Sequence, residues 1–183
     1  MAERGGAHAA LRAATRADHD RVDALFGALT LASAADYRAF LLAQALALPA
    51  VERALDEADF AGALADWPGR RRGDALAADL AALHTQAPDP LPPPALAGRA
   101  AQWGAAYVLE GSRLGGQLLA RQLGAGQPNA YLGKVHAPGK WRDFLSALDQ
   151  AIETPPAVAE AVAGARAVFA LFERAGRRAM EMH

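Results

Sequence analysis

Alanine, leucine and arginine dominate this chain of 183 residues while β-branched residues are scarce, and that bias restricts the fold more than any motif does. Those three residues head the helix-propensity order, whereas strands favour Val, Ile, Thr and the aromatics. No stretch alternates apolar and polar residues at period two, so the chain reads as all-α. At this length it is expected to form a single compact multi-helix domain over 1–183, with residues 1–7 a frayed terminus.

Punctuation along the chain divides it into about six helices. Leu11, Thr15, Val22 and Phe26 recur at helical spacing and predict a first helix over 8–26. Ser33 with Asp36 three residues on resembles a capping box and opens a second helix at Ala34, with Pro49 expected to kink or break it. A third helix is expected over 74–84, after the loop from Trp67 to Gly73. The prolines at 88, 90, 92, 93 and 94 mark a connection. A long helix over 95–123 follows, then a loop to Gly139 and a helix over 140–152. Thr154 and Pro155 supply an N-cap and first position for a last helix reaching 178.

Composition removes several classes of function. A formal net charge of −1 leaves no basic field for nucleic acid or an anionic membrane. The sequence has no cysteine, so disulfides, thiolate metal sites and cysteine nucleophiles are excluded. No secretory signal is readable behind Met1, and the richest apolar run, Phe40 to Val51, is too short to span a bilayer. A soluble, cytoplasmic protein is the expectation.

Two segments stand out from the alanine-rich background. Three glycines, Gly111, Gly115 and Gly116, fall within six residues of the long helix. Each costs about 0.5–1 kcal/mol relative to alanine there. Tight packing against another helix, a kink, or close approach of bare backbone to a flat ligand would each justify them. The second segment holds His19, at the edge of the first helix's apolar stripe, with Arg12 seven residues upstream. Two turns, roughly 10 Å, separate the imidazole from the guanidinium. A lone helical histidine is usually a surface or structural residue. The spacing also suits a ligand whose metal meets the imidazole and whose carboxylates meet the arginine.

Taken together, these motifs resemble the haem oxygenases, particularly the bacterial biliverdin-producing type. The resemblance rests on Leu11-Arg12-x-x-Thr15-x-x-x-His19 and on Tyr37-Arg38-x-Phe40-Leu41. Its strongest part is Tyr107-Val108-Leu109-Glu110-Gly111-Ser112-x-Leu114-Gly115-Gly116, with Trp141-x-x-Phe144-Leu145 beyond. It implies that haem is both cofactor and substrate, with its iron ligated by His19. It further implies that dioxygen and electrons from a donor such as a ferredoxin or a flavin reductase are consumed, releasing biliverdin, ferrous iron and carbon monoxide. Gly111, Gly115 and Gly116 would form a kinked distal helix over the macrocycle. Arg12, Arg142 and Tyr107 would hold its propionates. Mammalian members carry an aspartate where this chain has Ser112, which shifts proton delivery to ordered water, with Ser112, Glu110 or Arg113 as helpers.

Other polar features carry blander expectations. His8, His84, His136 and His183 read as solvated or capping residues. Arg70-Arg71-Arg72 reads as a solvated loop, or as a docking patch for an acidic electron donor. Asp18, Asp20 and Asp23 either orient His19 or are surface charge, and Phe169 and Phe172 read as core. The competing functions are a non-catalytic haem carrier or sensor, which needs no distal glycines, and a purely structural helical domain. A di-iron carboxylate bundle needs Glu-x-x-His pairs, and the thiaminase-like enzymes of related architecture use a cysteine. This sequence has neither.

Overall fold

A computed structural model describes residues 6–182. Its elements are α1 (Ala7–Ala14), α2 (Arg16–Gly27), α3 (Ala34–Glu57), a 3-10 turn (Phe60–Gly62), α4 (Trp67–Arg70), α5 (Gly73–Ala82), α6 (Arg99–Ala120), α7 (Lys140–Ala151) and α8 (Pro155–Glu181). Among the described residues there is no strand, as the composition predicts. α8 is the axis of the bundle: α6, α3, α2 and α1 all pack against it.

The expected first helix is two. Buried Thr15 carries the break: its hydroxyl donates to the Leu11 carbonyl at 2.8 Å, alongside its own N–H at 2.9 Å. Such back-bonding bends a helix, and Thr15 leaves helical geometry at φ −104°, ψ 7°. α1 already includes buried Ala7, so part of the segment expected to fray is ordered. Residues 1–5 lie outside the described residues. The start of α1 is tied to α7 by His8, whose N–H and Nδ1 meet the Asp149 carboxylate at 2.9 and 2.7 Å.

Of the kink or break expected at Pro49, the break is absent: α3 runs through it. Leu46, Leu48, Ala50 and Val51 are fully buried around the proline, and that packing offsets a cost of about 3 kcal/mol. The Leu46 carbonyl, in the turn ahead of Pro49, accepts from the Leu91 N–H of the proline-rich connection at 2.8 Å. Both anticipated caps form. Ser33 Oγ accepts from the Asp36 N–H at 3.4 Å and Thr154 Oγ1 from the Ala157 N–H at 3.3 Å. The Asp36 carboxylate accepts from the Thr30 N–H.

α8 is long and apolar enough in composition to cross a bilayer. Here its apolar face, including Ala161, Ala165, Val168, Leu171 and Ala175, is buried against the other helices. The tightest crossing joins α6 to α8. A Cβ on Gly104 would fall on the Ala161 carbonyl, and one on Gly164 would fall on the Ala101 carbonyl. This reciprocal pair, rather than the glycines after residue 110, does the close helix packing. Gly104→Ala or Gly164→Ala should each cost about 1–3 kcal/mol of stability, because rigid backbone must move to admit the methyl. Denaturant unfolding tests this, and an unchanged midpoint for both would contradict the crossing geometry.

Candidate functional site

In its first half α6 is buried on nearly every side; in its second half one face is bare. Tyr107, Gly111, Leu114, Gly115 and Leu118 share that face by helical spacing. Leu114 is 41% and Leu118 61% exposed, and every other leucine among the described residues is buried or half-buried. A Cβ on Gly115 would meet nothing within 4 Å, and one on Gly111 would meet only the Trp141 ring, at 3.7 Å. The face therefore bears no charge and is not clamped by a neighbouring helix, so tight helix packing does not explain Gly111 and Gly115. Gly116 departs from the expectation: it is buried and turned toward Leu132, because it sits on another side of the helix from Gly115.

His19 lies on α2, which packs against α8 and shares no packed interface with α6. Its ring meets Phe169 of α8 edge-on, with centroids 6.0 Å apart, and Nδ1 is 3.1 Å from Asp23 Oδ2. Of the three nearby aspartates, Asp23 is the one paired with the histidine. Asp18 binds Arg21 and Arg166, while Asp20 faces Arg16. The Nε2 of His19 has no hydrogen-bond partner among the described residues, and the side chain is 58% exposed. A ring paired with a carboxylate at one nitrogen and open at the other suits a metal ligand.

Arg12 is exposed on α1 and sits close enough to Tyr107 to oppose electrostatically the rise that burial imposes on the phenol's pKa. Trp141 lies against Tyr107 at 6.1 Å and stacks on Phe144 at 5.7 Å. Arg142, exposed in the first turn of α7, follows it directly. Arg12 and Tyr107 thus share one end of α6's bare face; no contact joins Arg142 to either.

Beside the bare face lies a buried ionic cluster that sequence reasoning missed. The Glu110 side chain, 1% exposed, accepts from Arg70 Nη1 at 2.6 Å and from Arg113 Nε at 3.1 Å. Arg113 also donates to the carbonyls of Lys134 and Arg70, and burial lowers its proton affinity against the pull of Glu110. Asp66 takes Arg70 and Lys140, and the Arg70 hydrogen bonds hold its pKa down at about 2 against burial. Arg72 Nη2 donates to Ser112 Oγ at 2.7 Å and to the Leu109 carbonyl at 3.0 Å, while Ser112 Oγ itself donates to that carbonyl.

Two expectations fall here. Arg70 and Arg72 are buried structural residues, and exposed Arg71 is paired with Asp56 at 2.7 Å, so the triplet is neither a solvated loop nor a docking patch. His136 is not solvated. Its ring is buried on Trp141 and its Nε2 donates to the Glu110 carbonyl at 3.0 Å. Of the other discounted histidines, His84 closes α5 at φ +49°, and His183 lies outside the described residues. The available signal was charge at core spacing: Trp103, Ala106, Glu110 and Arg113 fall on one buried stripe.

A cavity of about 320 Å³ opens beside Asp66, Arg70, Arg113, Lys134 and Lys140, where every one of those cations already has a partner. The free nitrogen and the bare helix face lie elsewhere.

No protein-family model matches the chain. A heme oxygenase of Xanthomonas campestris pv. campestris (strain 8004) is 42% identical over 116 residues, which are 58% of this chain and 67% of the relative. The solved structure of the NO- and CO-bound heme oxygenase of Neisseria meningitidis superposes with a TM-score of 0.83 at 29% identity, covering 96% of this chain and 92% of that one. Sequence agreement over two thirds of one enzyme and fold agreement over nearly all of the other converge with the expectation drawn from the motifs, and the chain belongs to the haem oxygenase family of haem-degrading enzymes.

Proposed function

We propose that haem would lie between α2 and the bare face of α6, with its iron held by His19 Nε2. The observation that carries this reading is the bare face itself: a run of glycine and leucine with open space over Gly115, on a helix whose first half is buried. His19 fits as the ligand because Asp23 fixes its ring through Nδ1 and Phe169 backs it, leaving Nε2 available.

The residues present suit a flat, largely apolar group with two carboxylates. Leu114 and Leu118 would be covered by the macrocycle and exclude water from it. Gly111 and Gly115 let α6's backbone approach without a side chain between. Arg12 and Tyr107 would hold one propionate and Arg142 the other. When bound, the haem supplies both the iron and the ring that dioxygen and electrons convert to biliverdin, ferrous iron and carbon monoxide.

Ser112 serves as an anchor. Its proton is engaged with the Leu109 carbonyl and its oxygen accepts from Arg72, so ordered water delivers the protons. Glu110 and Arg113 are buried on the flank of α6 that adjoins the bare face and are consumed by their ion pairs, so neither takes part. Gly116, packed on Leu132, shapes the helix without lining the slot. An external ferredoxin or flavin reductase donates the electrons; this sequence has no cysteine for a redox centre of its own. We place the reaction in the cytoplasm.

Gly115 gives the test, because its two effects have opposite signs. Gly115→Ala should stabilise the haem-free protein by about 0.5–1 kcal/mol, since the methyl enters open space and helix propensity improves. Gly115→Leu should weaken hemin binding or slow biliverdin formation at least roughly tenfold, the loss a misplacement of about 1 Å readily produces. Soret titration and turnover in air with a reductant read both. A Gly115→Leu protein with wild-type affinity and rate would remove the bare face from the site.

A further inference from the structure

His136 lies on the loop between α6 and α7, buried with its ring 5.7 Å from Trp141 and tilted by 34°. A carbonyl can only accept, so the 3.0 Å contact to the Glu110 carbonyl requires the ring proton on Nε2. Nδ1 then faces Glu110 Oε2 at 3.5 Å. Burial holds a second proton off this ring, helped by the charges of Arg113 and Arg70 and opposed by Glu110.

The bonded carbonyl belongs to the residue before Gly111. One residue earlier, the Leu109 carbonyl accepts from Arg72 and Ser112. Three side-chain donors thus converge on two successive carbonyls at the turn where α6's bare face begins. Donors inserted beside the i→i−4 ladder tilt carbonyls outward and fix a local bend. The Trp141 ring that His136 supports is also the group nearest the Cβ position of Gly111. His136 therefore reaches Gly111 by two routes: through the backbone, and through the indole.

We infer that His136 is a positioning residue for the distal backbone, holding the Gly111–Gly115 stretch at the height above the macrocycle that turnover requires. The inference rests on the haem placement proposed above. Arg72 and Ser112 share the load at Leu109, but the carbonyl adjoining Gly111 takes its side-chain donor from His136 alone among the described residues.

Two measurements test it, and the first needs no haem. In haem-free protein with ¹⁵N-labelled histidine at neutral pH, His136 should show the Nε2–H tautomer with a slowly exchanging ring proton. A fast-exchanging ring or the Nδ1–H tautomer would overturn the inference. In the same haem-free state His136→Phe, which keeps a ring against Trp141 but no donor, should speed amide exchange across Gly111 to Gly115 by roughly tenfold or more. His136→Gln, which restores an N–H, should return it toward wild type.

In the hemin complex, His136→Phe should keep affinity within about threefold. It should slow turnover roughly ten- to hundredfold or redistribute the biliverdin isomers, with His136→Gln recovering most of the difference. Wild-type exchange, rate and isomer pattern in His136→Phe would overturn the inference. If His136→Phe does not fold, the tautomer and the exchange of folded His136→Gln decide it: protection retained supports the inference, protection lost overturns it. Failure of the haem placement itself is distinguishable, because wild-type protein would then bind hemin independently of His19.

Discussion

Glu110→Ala should destabilise the haem-free protein by about 3–5 kcal/mol, a large share of the roughly 5–15 kcal/mol that holds a domain together. The reason is what remains after the carboxylate goes. Arg70 and Arg113 are 8% and 4% exposed, and Glu110 is the anion between them. Arg70 would keep Asp66, but Arg113 would be left with carbonyl partners only, a buried cation uncompensated. Glu110→Gln should lose less than Glu110→Ala while still falling well below wild type, because it keeps shape and hydrogen bonds but not charge. Urea unfolding measures both, and a loss below about 1 kcal/mol for Glu110→Ala would mean that the cluster is solvated and weak.

His19→Ala should cut biliverdin formation at least roughly a hundredfold. Removing a group that merely orients a metal ligand costs about ten- to a hundredfold, so removing the ligand belongs at or beyond that limit. Hemin affinity should fall less than turnover, since Leu114, Leu118 and the propionate contacts proposed for Arg12 and Tyr107 would remain. Added imidazole should recover part of the rate through the vacated position. Single-turnover assays with a chemical reductant separate this from slow electron delivery. Turnover within about threefold of wild type would exclude His19 from ligation.

The helical frame was legible because propensity and punctuation agree. Alanine-rich stretches, two side-chain caps and a proline-rich connection place most elements to within a few residues. The break at Thr15 and the unbroken run through Pro49 have a common cause: propensity is local, whereas a buried hydroxyl bonding back to Leu11, or packing around a proline, is a tertiary outcome. Within the site, His19 and the glycines after residue 110 stood out as departures from an alanine background. Which glycine did which job did not. Gly104 and Gly164, unremarked in the sequence, make the close helix crossing, and Gly116 faces Leu132 while Gly115 faces open space.

The ionic cluster was harder to read. Arg70, Arg72 and His136 come from loop-like sequence, and only the fold brings Arg70 and His136 to the buried Glu110, 40 and 26 residues away, and Arg72 to Leu109 and Ser112 beside it. Their burial is what converts a run of arginines from surface charge into scaffold. Asp79 shows the same pattern: buried on α5, it accepts the N–H groups of Ala130 and Tyr131 at 2.8 and 2.9 Å and pins the loop that follows α6. Buried polar residues here secure the flank of α6 and the loop that follows it.

The resonance Raman spectrum of the ferrous hemin complex tests the central claim most directly. The wild-type protein should show an iron–histidine stretching band that shifts on ¹⁵N labelling of histidine, disappears in His19→Ala and returns when free imidazole is added. The same band persisting in His19→Ala without imidazole would show that another residue holds the iron, and would contradict the placement of haem between α2 and α6.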